Sequence, residues 1–181
     1  MQRLEYQNEI LNSIYKEVEK YNERLKKRDS YIMVNEVKPY IEIIHLVSDL
    51  KMILDELISL FYILEKYKID GDYPRKIRIS SIGELLTEHE KEESTKLLFF
   101  KPYIEFLQNI NEVTNSYKHS FVNSDILFYR QLNEPIVYAG KNHFNNFDRP
   151  RTLISIPLKE IILNFNRMFK EYREHIKNHY S

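Results

Sequence analysis

Ile41-Glu-Ile-Ile-His-Leu-Val-Ser-Asp-Leu50-Lys-Met-Ile-Leu-Asp-Glu-Leu-Ile-Ser-Leu60-Phe-Tyr-Ile-Leu64 is the stretch that decides the fold. Within it, Ile41, Ile44, Val47, Leu50, Leu54, Leu57, Ile58, Phe61 and Leu64 recur at intervals of three and four, the period of one helix face. A stripe this wide needs several neighbours to cover it. The spacing predicts a long central helix over 38–68, with Pro39 tolerated in its first turn because a proline there gives up no helical hydrogen bond. His45 lies inside the stripe and reads as a hydrogen-bonded core residue rather than a ligand.

Helical periodicity extends outward in both directions. Leu4, Leu11, Ile14, Val18, Tyr21 and Leu25 form a seven-residue repeat over 2–28, a narrow seam for another helix of this chain or of a partner. The basic run Arg24, Lys26, Lys27 and Arg28 suits the negative end of that helix. Asp70-Gly-Asp-Tyr-Pro74 marks a turn, and 76–80 reads as a short extended piece. Ser81-Ile-Gly-Glu84 matches a capping box that opens a short helix to about Glu93. The acidic end of that helix (Glu88, Glu90, Glu92 and Glu93) reads as solvated surface. A fourth helix runs from Ser94 or Pro102 to about Val122, Pro102 either starting it or kinking it. Two β-prone runs, Pro135-Ile-Val-Tyr-Ala-Gly140 and Thr152-Leu-Ile-Ser-Ile156, lie in an insertion over 124–157 that fits a hairpin or a long ordered loop. Pro157 then starts a last helix to about His179, with Leu158, Ile161, Ile162, Phe165, Phe169, Tyr172 and Ile176 on its core face. The expected fold is all-α: a bundle of about five helices with a small β-hairpin or long loop before the last helix, in one domain over 1–181.

Composition removes several function classes. The 181 residues contain no cysteine, which excludes disulfides, thiolate catalysis and Cys-based zinc sites. The 27 basic and 27 acidic residues cancel, so any nucleic-acid binding must come from a local patch rather than a global field. Three glycines disfavour a glycine-rich phosphate loop. Fourteen Tyr and ten Phe, with no Trp, imply an aromatic core with many phenolic hydroxyls to satisfy. The start of the chain is charged and lacks an apolar signal core. No apolar run is long enough to span a membrane, and the reading is a cytoplasmic protein that needs no cofactor.

Three constellations invite chemistry. Asn111, Asn115, His119 and Asn123 repeat at intervals of four, one polar ladder on a helix, beside the apolar Ile110, Val113, Tyr117 and Phe121. His119 has the pKa range of a general acid or base, Asn115 can orient it or bind substrate, and the adjacent Lys118 can hold an anion. The competing reading is a buried amide network or interface, which would offset the poor helix propensity of Asn. Glu171, His175 and His179 also share one face, and helical i, i+4 histidines can bind zinc. No catalytic glutamate follows the first His in the pattern metalloproteases need, and the position near the helix end explains the histidines through the dipole, so no metal is assigned. Lastly, 141–151 mixes Lys141, His143, Arg149 and Arg151 with Phe144 and Phe147. That mixture suits single-stranded nucleic acid, or a hairpin tip whose rings pack back on the bundle.

Thr114-Asn115-Ser-Tyr-Lys-His119, late in a helix of a helical bundle, resembles the motif of the HEPN superfamily. That motif carries an Arg, often followed by Asn, and then a His four to six residues on. Asn115 and His119 occupy the Asn and His positions, while Glu112, Val113 and Thr114 hold the positions open to the Arg. Phe121 stands where some HEPN toxins carry a modifiable Tyr. The resemblance implies a protein of bacterial defence or toxin–antitoxin type. It also implies a homodimer that binds RNA, or cleaves it without metal, with His119 and Asn115 at the catalytic centre. Lys118, Asn111, Asn123, Lys141, Arg149 and Arg151 are the expected ligand-binding residues. The alternative is a non-enzymatic interaction module, a regulator or phage-encoded inhibitor, with a protein partner.

Overall fold

The computed structural model describes residues 2–26, 37–90, 94–119, 134–141 and 152–180. The chain is an all-α bundle of five helices with one small antiparallel hairpin before the last helix. The helices are α1 (Gln2–Lys26), α2 (Val37–Asp70), α3 (Ile82–Glu90), α4 (Ile104–His119) and α5 (Leu158–His179). A 3-10 segment, Ser94–Tyr103, precedes α4. The strands β1 (Ile136–Lys141) and β2 (Thr152–Pro157) pair from Ile136 opposite Pro157 to Lys141 opposite Thr152. Among the described residues no helix is long and apolar enough to cross a membrane.

The residues group into two compact units. The first comprises Met1–Ser48 and Glu112–Ile161. Its buried apolar residues include Ile14 and Val18 of α1, Ile43, Leu46 and Val47 of α2, and Val113 of α4. In the hairpin, Val137, Ala139, Ile154 and Ile156 are buried whereas Ser155 is exposed, the alternation of a half-buried sheet. Glu134 organises the junction between hairpin and α5. Its Oε1 accepts the Lys159 backbone N–H at 2.5 Å, and both carboxylate oxygens accept the Tyr15 hydroxyl, at 2.9 and 3.0 Å. A carboxylate here satisfies one orphan donor of α5 and complements the positive end of its dipole. The Leu158 N–H donates to the Pro135 carbonyl at 2.8 Å. Pro157 is therefore the last residue of β2 rather than the first of the helix.

The second unit comprises Asp49–Asn111 and Ile162–Ser181. Asp55 of α2 fixes the start of α3, accepting the Ile82 N–H at 2.8 Å while its other oxygen receives Lys51 Nζ at 2.6 Å. The capping box forms with a shift. Ser81 Oγ accepts the Glu84 N–H at 3.3 Å, but Glu84 reaches back to the N–H of Ser80, at 2.7 Å, rather than of Ser81. These bonds hold the Glu84 carboxyl below its ordinary pKa, the Ser80 backbone donor contributing most. Phe61, Phe99, Phe100 and Tyr172 form an aromatic cluster, with Phe61–Phe100 and Phe99–Phe100 meeting edge to face at 5.2 and 5.1 Å.

Several expectations need correction. Ile41 is 43% exposed, and His45 is an exposed residue instead of a core one. Both lie on the outer flank of the stripe, where Val47, Leu50 and Leu54 point inward and are buried. Residues 76–80 form no strand: among the described residues the strands are β1 and β2, which pair with each other. Pro102 neither starts nor kinks an α-helix: it lies inside the 3-10 segment, and α4 opens two residues later. Proline lacks the N–H an α ladder needs there and disfavours α geometry at the residue before it.

Candidate functional site

The second half of α4 carries the first three rungs of the ladder: Asn111, Asn115 and His119. From 109 to 117 no residue of this helix is exposed. Ile110 and Val113 are fully buried, and so are the polar Thr114 and Ser116, at 1% and 0% exposure. Asn111 and Asn115 are half-buried, and Asn111 is engaged by other residues. Exposure begins at Lys118. An enclosed polar helix face of this kind is tolerated only when its hydroxyls and amides find partners, and Thr114 and Ser116 are both engaged by other groups. The Asn115 amide lies at the edge of this enclosed stretch, one turn before His119.

The backbone of His119 ends α4; its side chain lies outside the described residues, as does all of Asn123. Lys141 closes β1 opposite Thr152, its side chain also outside the described set, together with His143, Phe144, Phe147, Arg149 and Arg151. Thus the structure aligns Asn115, Lys118 and the His119 backbone within two turns of one helix.

The C-terminal histidines do not assemble with Glu171. The Glu171 carboxylate accepts the Tyr103 hydroxyl and, at 3.1 Å, Arg167 Nε. The Tyr103 bond contributes most to holding this exposed carboxyl below its ordinary pKa. Burial and the same carboxylate push the Tyr103 phenol up to about 12, so it stays a donor at neutral pH. His175 instead enters the aromatic cluster, its ring 5.3 Å from both Phe61 and Phe99 and 4.3 Å from His179. Its buried Nε2 has no hydrogen-bond partner among the described residues. Burial, and then the neighbouring His179, lower its pKa, which keeps the ring neutral and suits its apolar setting. Among the described residues no group of three or more His, Asp or Glu side chains is placed to hold a metal ion.

Sequence reasoning did not find the carboxylate–tyrosine pairs Tyr15–Glu134, Tyr103–Glu171 and Tyr180–Glu65. The count of fourteen tyrosines signalled that such acceptors were needed, but partners 68 to 119 residues away in sequence leave no local pattern. It also passed over Thr114 and Ser116, which carry no charge and fall off the apolar stripe. No protein-family model, curated protein or solved structure matches this chain.

Proposed function

We propose that this chain is a HEPN-like helical protein of bacterial defence or toxin–antitoxin type, cytoplasmic and homodimeric, that acts on RNA at the C-terminal end of α4. The observation that carries the reading is the placement of Asn115 and His119 one turn apart on α4 of an all-α bundle, where the helix passes from enclosed to exposed at Lys118. A general acid–base needs that boundary, because the wall restricts water while the open side admits substrate. In this mechanism His119 takes the proton of a ribose 2′-hydroxyl. The oxygen then attacks the adjacent phosphorus to form a 2′,3′-cyclic phosphate, the P–O5′ bond breaks, and the leaving 5′-oxygen takes a proton from water. Asn115 orients the imidazole or substrate, and Lys118 supplies the positive charge that Glu112, Val113 and Thr114 lack. Arg151 is the second phosphate ligand of this scheme. The test is cleavage of a labelled single-stranded RNA in excess EDTA. The proposal expects cleavage by the wild type and at least a hundredfold loss, about the low end for a catalytic acid–base, in His119→Ala with unchanged circular dichroism. Equal rates for the two proteins would overturn it.

A second reading, a non-enzymatic interaction module, is favoured by one observation. Met52, Leu60 and Tyr67 of α2 are 51%, 44% and 44% exposed, and exposed apolar side chains along one helix suit a protein partner. Under this reading His119→Ala leaves function intact, whereas Met52→Asp with Leu60→Asp abolishes partner capture.

A further inference from the structure

The C-terminal turn of α2 and the loop after it hold a feature unrelated to α4. Residues 66–78 carry five basic side chains against two acidic ones, in a chain whose net charge is zero. The two acidic groups are already engaged: Asp70 pairs with Lys66 at 3.6 Å, and Asp72 Oδ1 accepts the Tyr73 N–H at 2.8 Å. Nearby Glu84, which also feels Lys76, is held by Ser80 and Ser81. Arg75, Lys76 and Arg78 are all exposed. Two aromatic rings accompany them. Tyr67 and Tyr73 stack at 4.8 Å with 28° between their planes, yet they remain 44% and 65% exposed. Gly71 permits this: its φ of +72° ends α2 in the left-handed region and turns the chain so that Tyr73 returns over Tyr67. A stacked tyrosine pair left open to solvent is an unfinished stack, to which a planar base adds at small entropic cost because the rings are already ordered.

We propose that residues 66–78 form a binding surface for single-stranded nucleic acid, with bases stacking on Tyr67 and Tyr73 and phosphates held by Arg75, Lys76 and Arg78. Base faces and backbone charge are the two features an unpaired strand offers together and a duplex does not. Base stacking and phosphate contact are common to RNA and DNA, so ribose and deoxyribose strands are expected to bind alike. The choice of RNA as natural ligand rests on the function proposed above; the surface itself does not depend on His119.

The experiment is fluorescence anisotropy of the full chain with labelled oligouridine and oligothymidine of about 12 nucleotides, and a duplex of equal length, at several salt concentrations. Both single strands should bind within about threefold of each other, and the duplex at least tenfold more weakly. Tyr73→Ala should weaken single-strand binding about 5- to 100-fold. The triple variant Arg75→Gln, Lys76→Gln, Arg78→Gln should reduce the slope of log affinity against log salt by about 2. Lys159→Gln, which removes an exposed cation outside both this surface and α4, should bind as wild type does. Absence of single-strand binding at about 50 mM salt, a duplex bound as tightly, or a triple variant with unchanged affinity and slope each overturns the proposal. An equal loss of binding in Lys159→Gln also overturns it, since the charge contribution would then not be specific to 66–78. Intact binding with no RNA cleavage leaves this surface standing and removes only the catalytic reading.

Discussion

The second half of α4 and the segment 66–78 are both polar stretches bordered by aromatics, and their surroundings are opposite. In α4, Thr114 and Ser116 are enclosed; in 66–78, Arg75, Lys76 and Arg78 face water and Tyr73 is the most open large hydrophobic side chain among the described residues. Composition does not distinguish a polar group that holds the fold together from one that waits for a ligand. Burial does, because a desolvated hydroxyl must be satisfied by the protein while an exposed cation loses nothing by remaining without a partner.

Substitutions that separate stability from binding sharpen the contrast. The largest effect is expected from Ile110→Ala, which empties a fully buried position of α4; urea unfolding should show a loss of about 2–5 kcal/mol. Ser116→Leu forces added volume into a site with no exposure, and the same assay should register about 1–3 kcal/mol. Glu134→Ala removes the acceptor for both Tyr15 and the Lys159 N–H, with an expected loss of about 1–2 kcal/mol. Tyr73→Ala is the counterpart in 66–78, where unfolding should move by no more than about 0.5 kcal/mol. A large loss there would place Tyr73 among the structural residues and erase the difference between the two regions.

His175 supplies a pH test of the aromatic cluster. Its pKa is lowered in the folded protein, so the native state disfavours the protonated ring. The sign follows: the contribution is fully present above the unfolded pKa of about 6.5 and is lost as pH falls through the lower folded value. Unfolding free energy should therefore drop on acidification below neutrality, and His175→Phe, which keeps a ring beside Phe61 and Phe99, should flatten that part of the profile. An identical profile in the variant would show that the ring does not titrate against the cluster.

Most helical segments were legible because their apolar residues repeat at a local period. The stripe from Val47 to Phe61 identifies α2 without reference to anything distant, and the two β-prone runs narrow the insertion to a hairpin or a long ordered loop, of which the structure forms the hairpin. The seam of α1 was also readable, with Ile14 and Val18 buried. Legibility failed where an outcome depended on a partner. Ile41 and His45 follow the stripe in sequence but lie on its flank, and only the position of the neighbouring elements decides which edge is covered. The 3-10 form of Ser94–Tyr103 was half-visible: Pro102 announced a break without saying which helix type would precede it. For the candidate site, the register of Asn111, Asn115 and His119 on one helix could be read in advance. The enclosure of Thr114 and Ser116 could not.

The sequence by itself determined most helix registers, the two β-prone runs, the capping box and the absence of thiol chemistry, since each depends on residues within about one or two turns of one another or on composition alone. Only the tertiary structure decided which flank of α2 meets solvent, which carboxylates Tyr15, Tyr103 and Tyr180 find, and that Tyr67 and Tyr73 stack in the open. Those outcomes depend on distances between groups far apart along the chain, or on a single glycine turning it back, and no local period encodes them.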